Sequence, residues 1–478
     1  MPLVISGGAA KGASHGPSGE TYEDCHGEGG RRFCRPVAPC GGLSARRGLD
    51  HQTGQRLVVI ANKVRRWRLG VTERSSTDVA AALDRTRMAR TEATPISFTL
   101  YVGLTVTATG GPLALAALFE VNALGDAYRS AGLVGLLGPA LFVPALVVWL
   151  RYSAEITQAG GLYSFVQAAA GRRIARVQAG LWILSYGLYL VYTVAYLAYD
   201  LLPAIFPSLL RFRPALQLLI PVLVAAVVLL PVRRSLTIIG AAALGQLGLV
   251  CVLVVISIRY LGTPASSLVG HGQPLVVGIA GANAALLFIC ASLPLFLAGE
   301  VRGGSLAVRR GLMTGWLIVA AITAAAMFPF ASAAPGILNA AVPGVAVVHA
   351  AGMPVSAAVI GIGVCVSVAG VIAAEFLALT RLLHQVLRQP IPKVSRVLAG
   401  VLVAGSAASL ADPLRVYADL LKPSLIALWL AQLMVFAVYP RFVARRRRLR
   451  VLDVGLAAGA CALMLFGLYS TSVNQLGT

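Results

Sequence analysis

The chain predicts an all-α polytopic membrane protein of about eleven transmembrane helices, arranged as a five-plus-five inverted repeat with breaks in helices 1 and 6. Three observations carry this. The 478 residues are 58% hydrophobic and 12% charged, with mean hydropathy +0.80; soluble domains are about one quarter charged. The apolar residues fall into runs of roughly 20, enough to cross a hydrocarbon core about 30 Å thick. The first of these runs is interrupted at its centre by Thr107, Ala108, Thr109, Gly110, Gly111 and Pro112.

In chain order, residues 1–90 stand apart: they are rich in Gly, Arg and Ser and have one short apolar patch, 57–60. Such a segment cannot bury a core, so disorder is expected. Met88 opens a short polar leader into the first span, so residues 1–87 also fit an extension upstream of the native start; a real cytoplasmic tail is the alternative. No apolar signal-peptide core is present near the start. Cys25, Cys34 and Cys40 have no paired zinc spacing, and Cys251, Cys290, Cys365 and Cys461 lie in apolar runs as small hydrophobes. No metal site or cofactor is expected. Residues 91–478 form the transmembrane domain, with spans at 96–119, 131–150, 179–200, 215–232, 236–261, 276–298, 311–333, 353–379, 397–411, 420–440 and 452–470. These are numbered 1 to 11.

The formal charge of +22 suggests nucleic acid until its distribution is considered. With the N-terminus placed in the cytoplasm, the loops on that side hold 19 Lys/Arg and the opposite loops hold 6. That asymmetry is the positive-inside pattern of a plasma-membrane protein, not a DNA-binding face.

Gly is costly inside a helix, and Pro removes a donor and clashes with the preceding turn. A break in hydrocarbon survives where it lines a protein cavity or a ligand, and broken helices at mid-membrane mark transporter sites. A simple kink is the other reading. An inverted repeat pairs span 1 with span 6, which carries Gly278, Gly281 and Pro294.

The loop after span 2 carries Glu155, Gly160, Gly161, Tyr163 and Gly171, ahead of Arg172 and Arg173. It resembles the corresponding loop of the amino acid–polyamine–organocation permease superfamily, where an acidic residue precedes Gly-Gly-x-Tyr, a short helix and Gly. The family's Pro before Gly-Gly is absent; Gln158 and Ala159 stand there. Gly110-Gly111-Pro112 is similar to the family's unwound segment. Gly299-Glu300-Val301 resembles its Glu-Val stretch without the usual Pro residues, and Thr380-Arg381 its exit from span 8.

The resemblance implies a leucine-transporter-like fold with substrate held between the breaks of spans 1 and 6. Amides near Thr109, Gly110 and Gly111 would take a carboxylate. Carbonyls of Phe288, Ile289 and Cys290 would take an ammonium, with Phe288 covering the substrate or simply packing. In span 3, Tyr186, Tyr189, Tyr192, Tyr196 and Tyr199 follow Trp182 along one helical face. They suggest a polar groove that binds cations by ring faces, or interhelical packing with the hydroxyls on carbonyls. Glu375 in span 8 is the coupling candidate, since an intramembrane carboxylate is a functional hypothesis by default; facing a vestibule or pairing with Arg381 are the alternatives. Span 5 has Gln246 where some proton-coupled family members have Lys, and Ser367 stands without the hydroxyl row of a sodium site. Asp200 is expected to cap span 3, and His349 to lie in an outside loop.

The leading expectation is a secondary permease for amino acids or related organic amines, with possible proton coupling. Polyamine transport on the same fold and a non-transporting membrane sensor or subunit are the alternatives. An enzyme would need clustered His, Asp or Glu at one membrane face, and a primary pump a phosphate-binding Gly-Lys-Ser/Thr loop; neither pattern occurs.

Overall fold

The computed structural model describes residues 95–158 and 160–473. The expectations for residues 1–90 and for the start at Met88 lie outside the described residues. Those described form helices, turns and one isolated bridge between Ile96 and Val301.

Ten helical stretches are long and apolar enough to cross a membrane. The first, Phe98–Glu155, has 58 residues, about 87 Å at 1.5 Å per residue, and holds two crossings. The reversal lies at Gly125–Ser130, where Gly125 takes φ 48°. Hydrogen bonds fix the sense. Arg302 N–H donates to Ile96 O, so span 7 starts beside the start of span 1. Ser267 Oγ accepts from Gly132 N–H and donates to Phe328 O, so span 2 starts beside the end of span 7. Spans 1 and 2 therefore run antiparallel, and the total is eleven crossings.

Span 1 comprises Phe98–Ala108, Pro112–Ala114, a π turn Leu115–Phe119, and Glu120–Leu124. Span 2 is Ala131–Glu155, unbroken despite Pro139 and Pro144. Span 3 is Arg172–Tyr196, continued by a π turn Leu197–Leu201. Spans 4 and 5 are Arg213–Val228 and Val232–Leu261. Span 6 is Pro274–Leu286 followed by a tight 3₁₀ run Leu287–Glu300, and span 7 is Gly304–Met327. Spans 8 to 11 are Pro354–Leu387, Ile391–Ala408, Pro413–Ala437 and Val451–Val473. Exposed Leu244 and Val255 on span 5, and Val397 and Val401 on span 9, form lipid-facing sides, as a bundle solvated by hydrocarbon requires.

The α-helix of span 6 ends in mid-span at Leu286, and the chain goes on as the 3₁₀ run that contains Pro294, which cannot donate; the irregularity expected in span 6 takes the form of a change of winding.

Neighbour relations repeat when spans 1–5 are exchanged with 6–10. Span 1 packs on span 7 and span 6 on span 2; span 3 packs on span 10 and span 8 on span 5; span 3 packs on span 9 and span 8 on span 4. Spans 2 and 7, 3 and 8, and 4 and 9 pack on each other. The connectors obey the same exchange. Helix Gly161–Ala170 lies on span 3 and on the 3₁₀ part of span 6, while helix Pro343–Ala350 lies on span 8 and on the π turn of span 1. The sequence reading had a loop at Pro343–Ala350. It is a helix started by Pro343 at its first turn, and His349 lies in its last turn.

Candidate functional site

The interruption in span 1 spans Thr109 to Gly111. Gly110 and Gly111 adopt φ 78° and 68°, a region L side chains avoid. Space forbids a side chain too: a Cβ on Gly111 would sit 2.4 Å from Ser367 Oγ and 2.9 Å from Ser367 O. Span 8 thus presses directly on the break.

The amides expected to face a carboxylate are turned the other way in this conformation. Thr109 N–H donates to Thr105 O, Gly110 N–H to Ala108 O and Gly111 N–H to Thr107 O. Ala114 N–H donates to Ser367 Oγ at 3.2 Å, and Ser367 Oγ donates to Gln246 Oε1 at 2.8 Å. A neutral relay therefore ties spans 1, 8 and 5 together where the family comparison looked for lysine or a hydroxyl row. Because Gly110 and Ala114 amides go elsewhere, the carbonyls of Val106 and Gly110 lose the partners an unbroken helix would give them. The break presents carbonyl oxygens, which attract cations.

In span 6, Phe288 is fully buried and packs between Phe142 of span 2 (6.1 Å between centroids) and Trp316 of span 7 (6.3 Å). This is the packing alternative. Ile289 O accepts from Ser292 Oγ at 3.0 Å, and Ser292 Oγ accepts from Gln432 Nε2 of span 10 at 3.1 Å. Cys290 Sγ lies 3.9 Å from Tyr186 Oη.

The tyrosine face divides into two parts. Trp182, Tyr186 and Phe296 form a dry stack, with centroids 4.1 and 4.6 Å apart. Tyr189, Tyr192, Tyr196 and Tyr199 are half-buried along span 3. Tyr417 of span 10 joins them, 5.3 Å from Tyr192, and donates to Asp200 Oδ2 at 3.2 Å. Asp200 therefore ties span 3 to span 10. Tyr417 was missed because the sequence-drawn span 10 begins at 420, whereas the helix starts at Pro413.

Glu375 is fully buried, and neither carboxylate oxygen has a hydrogen-bond partner. It lies near Tyr186, Tyr189 and Cys290, so the structure brings these four sequence-chosen residues into one neighbourhood. The pairing with Arg381 is corrected: six residues along a helix point to different sides, and Arg381 turns to span 6, where Nε and Nη2 reach Glu300 Oε1 and Oε2 at 3.0 and 3.3 Å. Among the described residues, no three His, Cys, Asp or Glu gather as a metal site.

Glu155 pairs with Arg446, and Gly160 and Gly161 take φ 104° and 47° to start the connector helix. Gly171 ends it at φ 91°. Glu120, one residue past the sequence-drawn end of span 1, was also missed; it is buried.

No family model matches the chain, and no curated protein does. Solved structures do. The chain is similar to a manganese transporter from Eremococcus coleocola. A glutamate-to-glutamine mutant of that protein gives TM-score 0.60 at 12% identity, and a histidine-to-alanine mutant 0.58 at 13%. Its complex with an aromatic bis-isothiourea compound gives 0.56 at 14%. Each comparison covers 80% of this chain and 87% of that one. The chain is a multi-pass membrane protein with the fold of a membrane transporter.

Proposed function

We propose that this protein is a proton-coupled secondary transporter of amino acids or related organic amines in the plasma membrane, with its N-terminus in the cytoplasm. The observation that carries the reading is that span 8 bears both Ser367, which braces the span 1 break, and the buried, unpartnered carboxyl of Glu375 near Tyr186, Tyr189 and Cys290. Carbonyls freed at Val106 and Gly110 offer acceptors to an ammonium. The half-buried faces of Tyr189 and Tyr192 offer cation–π contact, and Cys290 and Tyr186 close the same region. Glu375 supplies a carboxyl whose charge state changes the site's affinity for a cation, which is what coupling requires. The amides at Thr109, Gly110 and Gly111 become donors for a substrate carboxylate only if the break rearranges. The amine end is therefore the better-served part of the ligand, and polyamines remain within the same class.

A second reading, divalent metal transport, is favoured by the description of the structural neighbours. Hard divalent ions take several oxygen ligands, commonly carboxylates. Here the described residues would supply mainly carbonyls and hydroxyls around a single Glu375.

Uptake into proteoliposomes tests both. Radiolabelled amino acids, polyamines and manganese are offered under a proton gradient, a sodium gradient or neither. The expected result is saturable, proton-driven uptake of an amine. Glu375→Gln should lose gradient-driven accumulation while keeping substrate exchange, because Gln cannot release a proton. Uptake of manganese alone would replace the amine reading, and unchanged accumulation in the variant would remove Glu375 from coupling.

A further inference from the structure

A second carboxyl lies inside the membrane, away from the first. Glu120 begins the last helical segment of span 1, and both its oxygens are buried without a hydrogen-bond partner. It directly follows the π turn Leu115–Phe119, closed by its own N–H on Leu115 O. A π turn inserts one residue and rotates everything after it by about 100°, so this irregularity sets the face that Glu120 presents. Such turns concentrate at functional positions.

The surroundings determine its charge. Glu120–Leu124 is packed by Leu115–Phe119, Gly125–Ser130, span 2, the first half of span 6 and span 7. On the turn, Asp126 and Arg129 are exposed, and Tyr128 meets Arg129. In span 2, Arg151, Tyr152 and Glu155 sit at the far end, where Arg151 pairs with Asp453 and Glu155 with Arg446. In span 7, Arg309 and Arg310 sit in the opposite first turns, and Pro274–Leu286 carries no charged residue. No cation therefore faces Glu120 from these elements. The polar neighbour is Thr323 of span 7. Its hydroxyl donates to Val319 O at 2.8 Å and would have to leave that carbonyl to serve a Glu120 carboxylate. That arrangement suits a carboxylic acid and leaves a carboxylate unsolvated, which would cost several kcal/mol.

We propose that Glu120 is a second proton-binding site, separate from Glu375, that holds a proton in this conformation and exchanges it with bulk water. It rests on the burial and bonding around Glu120 and stands whether or not the transported substrate is an amine.

Infrared spectroscopy of the reconstituted full chain tests it. The neutral-carboxyl stretch is recorded at neutral and alkaline pH and in heavy water, for wild type, Glu120→Gln, Glu120→Asp and Glu375→Gln. The expected result is a band at neutral pH that is lost in Glu120→Gln and kept, shifted, in Glu120→Asp. It should persist in Glu375→Gln, disappear reversibly at high pH and shift in heavy water. The aspartate variant keeps the test valid if the glutamine variant folds poorly. A wild-type spectrum without a Glu120-dependent band would show an ionised carboxylate and overturn the proposal. A band indifferent to pH and heavy water would show a sealed structural proton and overturn it as well.

Discussion

Arg381 and Glu300 meet with their side chains 2% and 21% exposed. The inequality makes the two halves of the pair differ in what their loss leaves behind. Glu300→Gln strands a buried guanidinium and should cost about 3 kcal/mol. Arg381→Gln leaves a carboxylate that reaches water and should cost nearer about 1 kcal/mol. Thermal unfolding in detergent checks this order, and equal losses would mean that packing rather than charge governs the contact. At this scale the sequence was informative about Glu375, because a lone carboxyl inside an apolar run is conspicuous. It did not reveal that Arg381 belongs to Glu300, since the two are 81 positions apart and only the fold joins them. Glu120 was hidden by its place at the edge of an apolar run, where a carboxyl ordinarily reads as interfacial.

The connector helices show how a small residue decides the position of a whole element. A Cβ on Gly344 would come within 2.6 Å of Ala117 Cβ, and one on Gly161 within 2.9 Å of Phe296 N. Each glycine lets a connector lie against the irregular part of a span: Gly344 against the π turn of span 1, Gly161 against the 3₁₀ run of span 6. Gly344→Ala should destabilise by about 1–3 kcal/mol through overpacking. Adding Ala117→Gly should recover part of that loss, measured as a double-mutant cycle on melting temperature. Strict additivity would contradict the contact. Gly161→Ala should be the less rescuable of the two: both clashes reach backbone, Ala117 Cα at 2.7 Å and Phe296 N at 2.9 Å, but only Gly161 also holds a positive φ, 47°. The Gly-Gly-x-Tyr motif made the first connector visible in sequence. The second connector reads in sequence only as part of an outside loop, since eight residues carry no decisive period.

For the whole molecule, interactions join the loops that carry most of the charge. Arg445 donates to Ala168 O, Arg446 pairs with Glu155, Arg151 with Asp453 and Arg381 with Glu300. They tie the end of span 2 and loop 2–3 to loop 10–11 and the start of span 11, and span 8 to span 6, at one end of the bundle. If that end is cytoplasmic, as charge asymmetry predicts, single cysteines on a cysteine-replaced background will report it. A cysteine at Arg415 should react with a membrane-impermeant maleimide in intact cells, and one at Lys393 only after permeabilisation. The reverse result would invert the topology without altering the fold.

The sequence by itself determined the membrane, the eleven crossings, their alternation and the place of the first break. These follow from hydropathy, loop charge and backbone chemistry, which are local properties of the chain. Only the tertiary structure decided that the irregularity of span 6 is a 3₁₀ run, and that the amides of Thr109, Gly110 and Gly111 turn back into their own helix. It also decided that Ser367 and Gln246 brace the break, and that Tyr417 joins the tyrosines of span 3. Each of these depends on which partner satisfies a polar group within hydrocarbon, and that partner lies on another span.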